Sequence, residues 1–244
     1  MGFSYFLSMF PLLAYGTWIT IEISVICWVI GNSLALGVAL ARLSKNPIIS
    51  TLAHGYIQLF RSTPFLTQVY IIYYGCGDFF AHTPAIRHSF LWPYLREAIW
   101  YGIIALSLNT AAYSGNILRG AIEAVPFGEV EAGRAFGMSK WLIFWRIVLP
   151  RAIRICLPAM SGETILLMKT TAILSTITIL DLMGEARFIV AQTFRVYEPL
   201  LAAAVLYIVL TFIITRGFRF LERYLNKDRL EPIQIKTPLP IEVA

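Results

Sequence analysis

Glu163 and Lys169 are the two charged residues in a largely apolar run from Ile155 to Leu180. Charges in such surroundings are costly and mark functional candidates. On a regular helix they point about 120° apart, so they form no simple intrahelical ion pair. Glu163, Leu167, Thr170 and Leu174 make one stripe, and Gly162, Lys169 and Thr176 another. A lone carboxylate facing a path through the membrane would attract an amino or guanidinium group. The competing role is to cap backbone groups or to pair with a neighbouring chain. Pro158 is expected to disturb the helix just before Glu163. A second polar set, Asn109, Tyr113 and Asn116 with Thr110 and Ser114 beside them, shares one helix face. It suits either the carboxylate of an amino acid or a hydrogen bond to another helix.

Other chemistries find little footing. His54, His82 and His88 lack metal-ligand spacing, and Cys27, Cys76 and Cys156 are scattered in mostly apolar surroundings. Gly75-Cys76-Gly77 is not followed by a lysine and a helix start, and no Walker-type glycine loop occurs. ATP hydrolysis by that route is therefore excluded. The paired acids of an intramembrane enzyme are missing too. A channel or membrane scaffold remains as an alternative that needs no ATP. The net charge of +6 is expected on loops rather than on a nucleic-acid surface.

The elements that must position these residues are membrane helices. Of 244 residues, 58% are hydrophobic and 14% charged, with a mean hydropathy of +0.69. Apolar blocks of about 20 residues match the hydrocarbon thickness. An all-α integral membrane protein is predicted, with five spans at about 17–41, 64–80, 98–118, 155–180 and 199–221. The stretch 48–60 is too short to cross and reads as an interfacial or scaffold helix. Fifteen basic residues fall in the segments after spans one, three and five or in the last turns of span five, against four in the opposite loops. That bias puts the N-terminus outside and the C-terminus in the cytoplasm. Residues 1–16 read as a periplasmic or interfacial segment, 17–225 as the transmembrane domain and 226–244 as a flexible cytoplasmic tail. No long internal repeat is evident, so the chain needs a partner to build a pathway.

Between spans three and four, residues 123–150 read as two short helices. Pro126 suits the first turn of one, which Glu129 and Glu131 complement, and Gly137 takes a left-handed terminus. Ser139 caps the second, and Pro150 stops it. Glu131-Ala132-Gly133, then Gly137, then Ile147-Val148-Leu149-Pro150 resembles in full spacing the EAA loop of ABC importer permeases. Gly133 departs from the family's second alanine, which costs that helix up to about 1 kcal/mol. Phe60–Gln68, Asn109–Gly120, Leu157–Glu163 and Lys169–Thr171 are similar to polar amino-acid permeases, in particular to chains of histidine, basic amino-acid and opine importers. Asn116 stands where that family often has Glu, and Glu129 where it often has Gln.

The resemblance implies a permease subunit of an importer in a bacterial inner membrane, carrying polar or basic amino acids or opines. Another small solute is the alternative. It implies partners: an ABC ATPase dimer, a second permease chain (the same or related), a periplasmic solute-binding protein and membrane lipid, with no nucleic acid. ATP and Mg would sit on the ATPase, with no cofactor on this chain and no catalytic or metal residue. Glu131, Ala132, Gly133, Gly137, Leu149 and Pro150 would lie at the ATPase contact. Glu163, Asn109, Thr110, Tyr113, Lys169 and Thr170 are the substrate-path candidates.

Overall fold

In a computed structural model, residues 3–226 are described, and among them all regular structure is helical. Residues 227–244 of the expected tail lie outside the described residues. Helix α1 (Phe3–Arg42) runs without a break across the expected boundary at residue 16. The reason is burial: Met9 and Leu13 pack into a cluster with Leu182, Ala186, Ile189, Ala202 and Ala203. Helix α2 (Pro47–Ser62) starts with Asn46 capping Ile48. After the Thr63–Pro64 break, α3 (Phe65–Tyr70) passes through a π-helical turn (Ile71–Cys76) into α4 (Gly77–His82). Two short helices, α5 (Pro84–Arg87) and α6 (Trp92–Leu95), lead to α7 (Ala98–Glu123).

Helix α7 is the centre of the fold, and α1 shares the largest interface with it. The approach is close because a Cβ on Gly31 would come within 2.7 Å of Thr110, and one on Gly115 within 3.0 Å of Val38. Gly31 and Ala35 thus serve packing. The core between the helices gathers Ile23, Val69, Leu106, Leu167, Leu174 and Ile177.

The 123–150 segment forms α8 (Phe127–Ala135) and α9 (Lys140–Ile143). Gly137 has φ +73°, and Met138 N–H donates to the Gly133 carbonyl, which closes α8. Ser139 Oγ accepts from Leu142 N–H at the start of α9. One expectation fails here: Pro150 does not stop the second helix. A π-helical turn (Phe144–Val148) joins α9 to α10 (Leu149–Thr170), in which Pro150 occupies the first turn. Proline has no N–H and crowds the carbonyl four residues back. The wider turn just before it relieves both problems, since Leu149 N–H reaches the Phe144 carbonyl instead. Pro158 likewise sits inside α10 without ending it.

A 3₁₀ segment (Thr171–Ile177) continues α10. Thr178 (φ 69°) then turns the chain into α11 (Leu182–Thr193), where the sequence promised only an outer loop. Asp181 caps α11 by accepting from Gly184 N–H. Its other oxygen accepts from Thr171 Oγ and, at 3.5 Å, from the Tyr207 hydroxyl of α12 (Tyr197–Leu225). Leu182 N–H donates to Thr20 on α1. This knot fixes the turn between α10 and α11 against α1 and α12.

Two helices, Ser8–Arg42 and Tyr197–Leu225, are long and apolar enough to cross a membrane, and the pair Lys140–Ile177 with Leu182–Thr193, bent by 43°, makes up to three. The stretches expected as the second and third spans are helical, as the α3–α4 rod and as α7, but neither is among these candidates. Ser107, Asn109, Thr110, Ser114 and Asn116 lower the apolar character of α7.

Two substitutions test this frame. Asp181→Ala removes the cap and the acceptor of the Tyr207 hydroxyl, and leaves Thr171 Oγ only the Met168 carbonyl, at a cost of about 2 kcal/mol. The melting midpoint of the purified chain in detergent falls, and Asp181→Asn, which keeps an acceptor, falls less. Gly137→Val forces a branched side chain into the left-handed region at about 1–2 kcal/mol. Limited proteolysis within 123–150 becomes faster, with little change elsewhere.

Candidate functional site

Glu163 lies midway along the rod formed by α10 and its 3₁₀ extension, and is half-buried. It borders an exposed strip of α10 containing Ala159, Gly162 and Leu166, and a Cβ on Gly162 would meet nothing within 4 Å. Arg61, near the end of α2, is within electrostatic range of Glu163. Its guanidinium carbon lies 5.4 Å from the centroid of the Tyr113 ring. The fold thus brings Glu163, Tyr113 and Arg61 together from α10, α7 and α2.

Asn109 is close by but already engaged. Its Nδ2 donates to Gln68 Oε1 at 2.9 Å, and Gln68 Nε2 donates to the Phe60 carbonyl and to the carbonyl and hydroxyl of Thr63. This network clamps the α2–α3 break onto α7. Tyr56 adds a 2.6 Å bond to the Leu108 carbonyl, and burial pushes its phenol up to about 12. Thr110 is turned away, only 2% exposed and against Gly31. Thr170 spends its hydroxyl on the Leu166 carbonyl. Lys169 lies elsewhere, lining a cavity of about 460 Å³ with Tyr207, Ile208 and Thr211 of α12. Glu163 and Lys169 therefore serve different sides of α10.

The larger cavity, about 780 Å³ between α1, α10 and α12, is walled by residues such as Val25, Trp28, Ile153, Leu157, Met160 and Ile213. Trp28 Nε1–H donates to Thr164 at its edge. Such a lining cannot replace the hydration of a charged solute.

On the 123–150 segment, Glu131 and Ala132 are exposed, flanked by Phe127 at 64% and Phe136 at 87% exposure. Gly133 is buried, and a Cβ there would approach Ile147 Cδ1 to 2.8 Å. The departure from alanine thus lets α8 settle against the following rod. Glu129 pairs with Arg151 at 3.1 Å and ties α8 to the base of α10. Leu149 is half-buried at the wall of the large cavity, and Pro150 is exposed.

Arg61 and Gln68 were missed as site residues, because Arg61 reads as one more basic loop residue. The available signal was the polar run Arg61-Ser-Thr-Pro64 between two apolar helices. Asp181 and Glu185 were missed as buried acids. Glu185 is 3% exposed, and its Cγ would lie 2.8 Å from a Cβ on Gly16.

The chain is 43% identical to the octopine transport system permease protein OccM of Rhizobium radiobacter over 220 residues, 90% of this chain and 88% of that one. It is 41% identical to the nopaline transport system permease protein NocM of Agrobacterium fabrum, over 93% and 92% of the two chains. With the histidine/lysine/arginine/ornithine transport system permease protein HisM of Escherichia coli K12 it shares 38% identity, over 85% and 86%. A crystal structure of an amino acid ABC transporter with histidines superposes with a TM-score of 0.78 at 31% identity, covering 92% of this chain and 99% of that one. An inward-facing MetNI methionine ABC transporter gives a TM-score of 0.73 at 19% identity, covering 89% and 98%, and shares the fold. Residues 33–227 match the binding-protein-dependent transport system inner membrane component family, and the chain belongs to it.

Proposed function

We propose that this chain is a permease subunit of an ATP-binding-cassette importer for basic or polar amino acids or their opine derivatives. The observation that carries the reading is the meeting of Glu163, Tyr113 and Arg61 beside an open strip of α10. Polar and charged groups midway along apolar helices belong on a water-lined path. In this reading the solute's ammonium or guanidinium group passes Glu163. The relatives' names, which include octopine, nopaline and histidine/lysine/arginine/ornithine, fit a cationic or zwitterionic solute.

The remaining parts of the proposal follow from this. The chain crosses a bacterial inner membrane five times, N-terminus outside and C-terminus in the cytoplasm, with residues 17–225 as the transmembrane domain. The α8–α9 hairpin docks on an ATPase that binds ATP and Mg, through Glu131, Ala132, Gly137 and the exposed Phe127 and Phe136. A second permease chain covers the open strip of α10, and a periplasmic binding protein delivers the solute. Closure of the ATPase pulls on α8, and the rod from Lys140 to Ile177 carries that motion to Glu163.

Affinity purification of the tagged chain in mild detergent, with mass spectrometry, recovers an ATPase and a permease partner in stoichiometric yield. Recovery of no ATPase, even after cross-linking at 123–150, would sink the importer reading. In proteoliposomes holding the complete complex, Glu163→Gln slows arginine uptake by about tenfold or more while the complex still assembles. Unchanged uptake removes Glu163 from the path. Glu131→Lys places the wrong charge at the proposed ATPase contact. It lowers co-purification of the ATPase and solute-stimulated ATP hydrolysis together, whereas an unchanged yield of ATPase argues against that contact.

A further inference from the structure

Arg61 was expected between spans one and two, just beyond the short helix 48–60. The structure carries it on the last turn of α2, which lies along α7 through Tyr56 on the Leu108 carbonyl and the buried Ala53 and Ile57. Arg61 consequently sits level with Tyr113, near the middle of α7. Arg61 is exposed within its own chain, and in the membrane arrangement proposed above a guanidinium at that level is costly unless it faces water, an acceptor or a ligand. Among the described residues Arg61 makes no hydrogen bond and no ion pair; its one partner at contact range is the Tyr113 ring. Glu163 is within electrostatic range, yet no salt bridge joins the two.

The geometry suits a ligand. A guanidinium held over an aromatic face keeps its N–H edges free for a planar acceptor. A carboxylate is the acceptor that matches the fork with two parallel bonds. Two of the neutral amides that would compete for this task are held in place: Asn109 by Gln68, and Gln68 by the Phe60–Thr63 turn. A cation and an anion that stay unpaired within electrostatic range of each other are complementary to a molecule carrying both charges.

We propose that Arg61 is the carboxylate-binding residue of the transport path, taking the carboxylate of an amino acid or opine whose cationic end lies at Glu163. This inference rests on the path reading of Glu163 given above. It assigns substrate class: solutes with a free carboxylate pass, and decarboxylated amines of the same shape bind poorly. Asn109, one of the sequence-based candidates for that carboxylate, becomes a positioning residue that holds the α2–α3 break.

The test uses the complete complex in nanodiscs without its solute-binding protein, so that selection outside the membrane does not mask selection within it. Labelled arginine is bound at equilibrium and competed with agmatine, which is arginine without its carboxylate. The unmodified complex is expected to prefer arginine by about 10- to 100-fold, the usual range for a charged hydrogen-bonded pair. Arg61→Gln weakens arginine, leaves agmatine unchanged and shrinks the preference to about threefold or less. Arg61→Lys restores part of it. Equal weakening of both ligands by Arg61→Gln marks a structural role and overturns the proposal. Unchanged binding of both, or an unmodified complex that does not discriminate, also overturns it. Glu163→Gln, run in parallel, separates the two readings. A loss of both ligands there with no Arg61 effect keeps the path and rejects the carboxylate site. A silent Glu163→Gln beside a selective Arg61→Gln keeps the carboxylate site and moves the cationic end elsewhere.

Discussion

The arrangement depends on how the chain passes Pro150. A proline in a continuous helix loses one backbone hydrogen bond and collides with the preceding turn. Here the π-helical turn at Phe144–Val148 absorbs both effects, so that α9 and α10 form one element. Had Pro150 ended the helix, the 123–150 segment would hang from α10 on a flexible joint. With the joint removed, Gly133 packs on Ile143 and Ile147, and Glu129 reaches Arg151 on the same element. A displacement of α8 then has no slack in which to be lost. The carboxylate of Glu163 lies farther along that same rod.

A second constraint acts at the centre of the molecule. In a membrane every backbone polar group must find a partner within the protein, and broken helices are tolerated only where something restores those bonds. The break at Thr63–Pro64 exposes carbonyls at Phe60 and Thr63, and Gln68 Nε2 bonds to both. Gln68 in turn takes the Asn109 amide of α7. One side chain therefore repairs the break and sets its position against the central helix. Arg61 lies next to the repaired segment, and that neighbourhood brings it over Tyr113.

Much of this was legible in the sequence, for physical reasons specific to each element. The capping pattern of 123–150 is local, and Gly137 and Ser139 behave as their types require. Glu163 was legible because a charge inside an apolar run stands out whatever the fold, and its separation from Lys169 follows from helix geometry alone. The passage through Pro150 was not legible. A π-helical turn has no composition of its own and exists because α10 continues beyond it. Helix α11 was hidden for a similar reason. Its polar residues read as loop, and the burial of Glu185 and Asp181 depends on Gly16 and Thr20, far away in sequence. The neighbours of Arg61 were not legible because α2 is short, and only its packing on α7 brings Arg61 over the Tyr113 ring.

Coupling between the two ends of the chain must be a difference in contacts between two states, since an input that binds both equally shifts nothing. Rigid elements alone do not provide that difference; an element with two arrangements is required. Within the described residues, α1 and α7 are locked by close glycine contacts, and the Asp181 knot ties α11 to α1 and α12. Those contacts change only at high cost. The open strip of α10 around Gly162 is different, because a Cβ on Gly162 would meet nothing within 4 Å among the described residues. In the proposed importer, the contacts that distinguish the two states lie there, against the second permease chain. Glu163 stands at the border between the locked side and the open one. A solute held between Glu163 on the rod and Arg61 on the clamped α2 would feel any rotation of α10 as a change in the gap between its two charges.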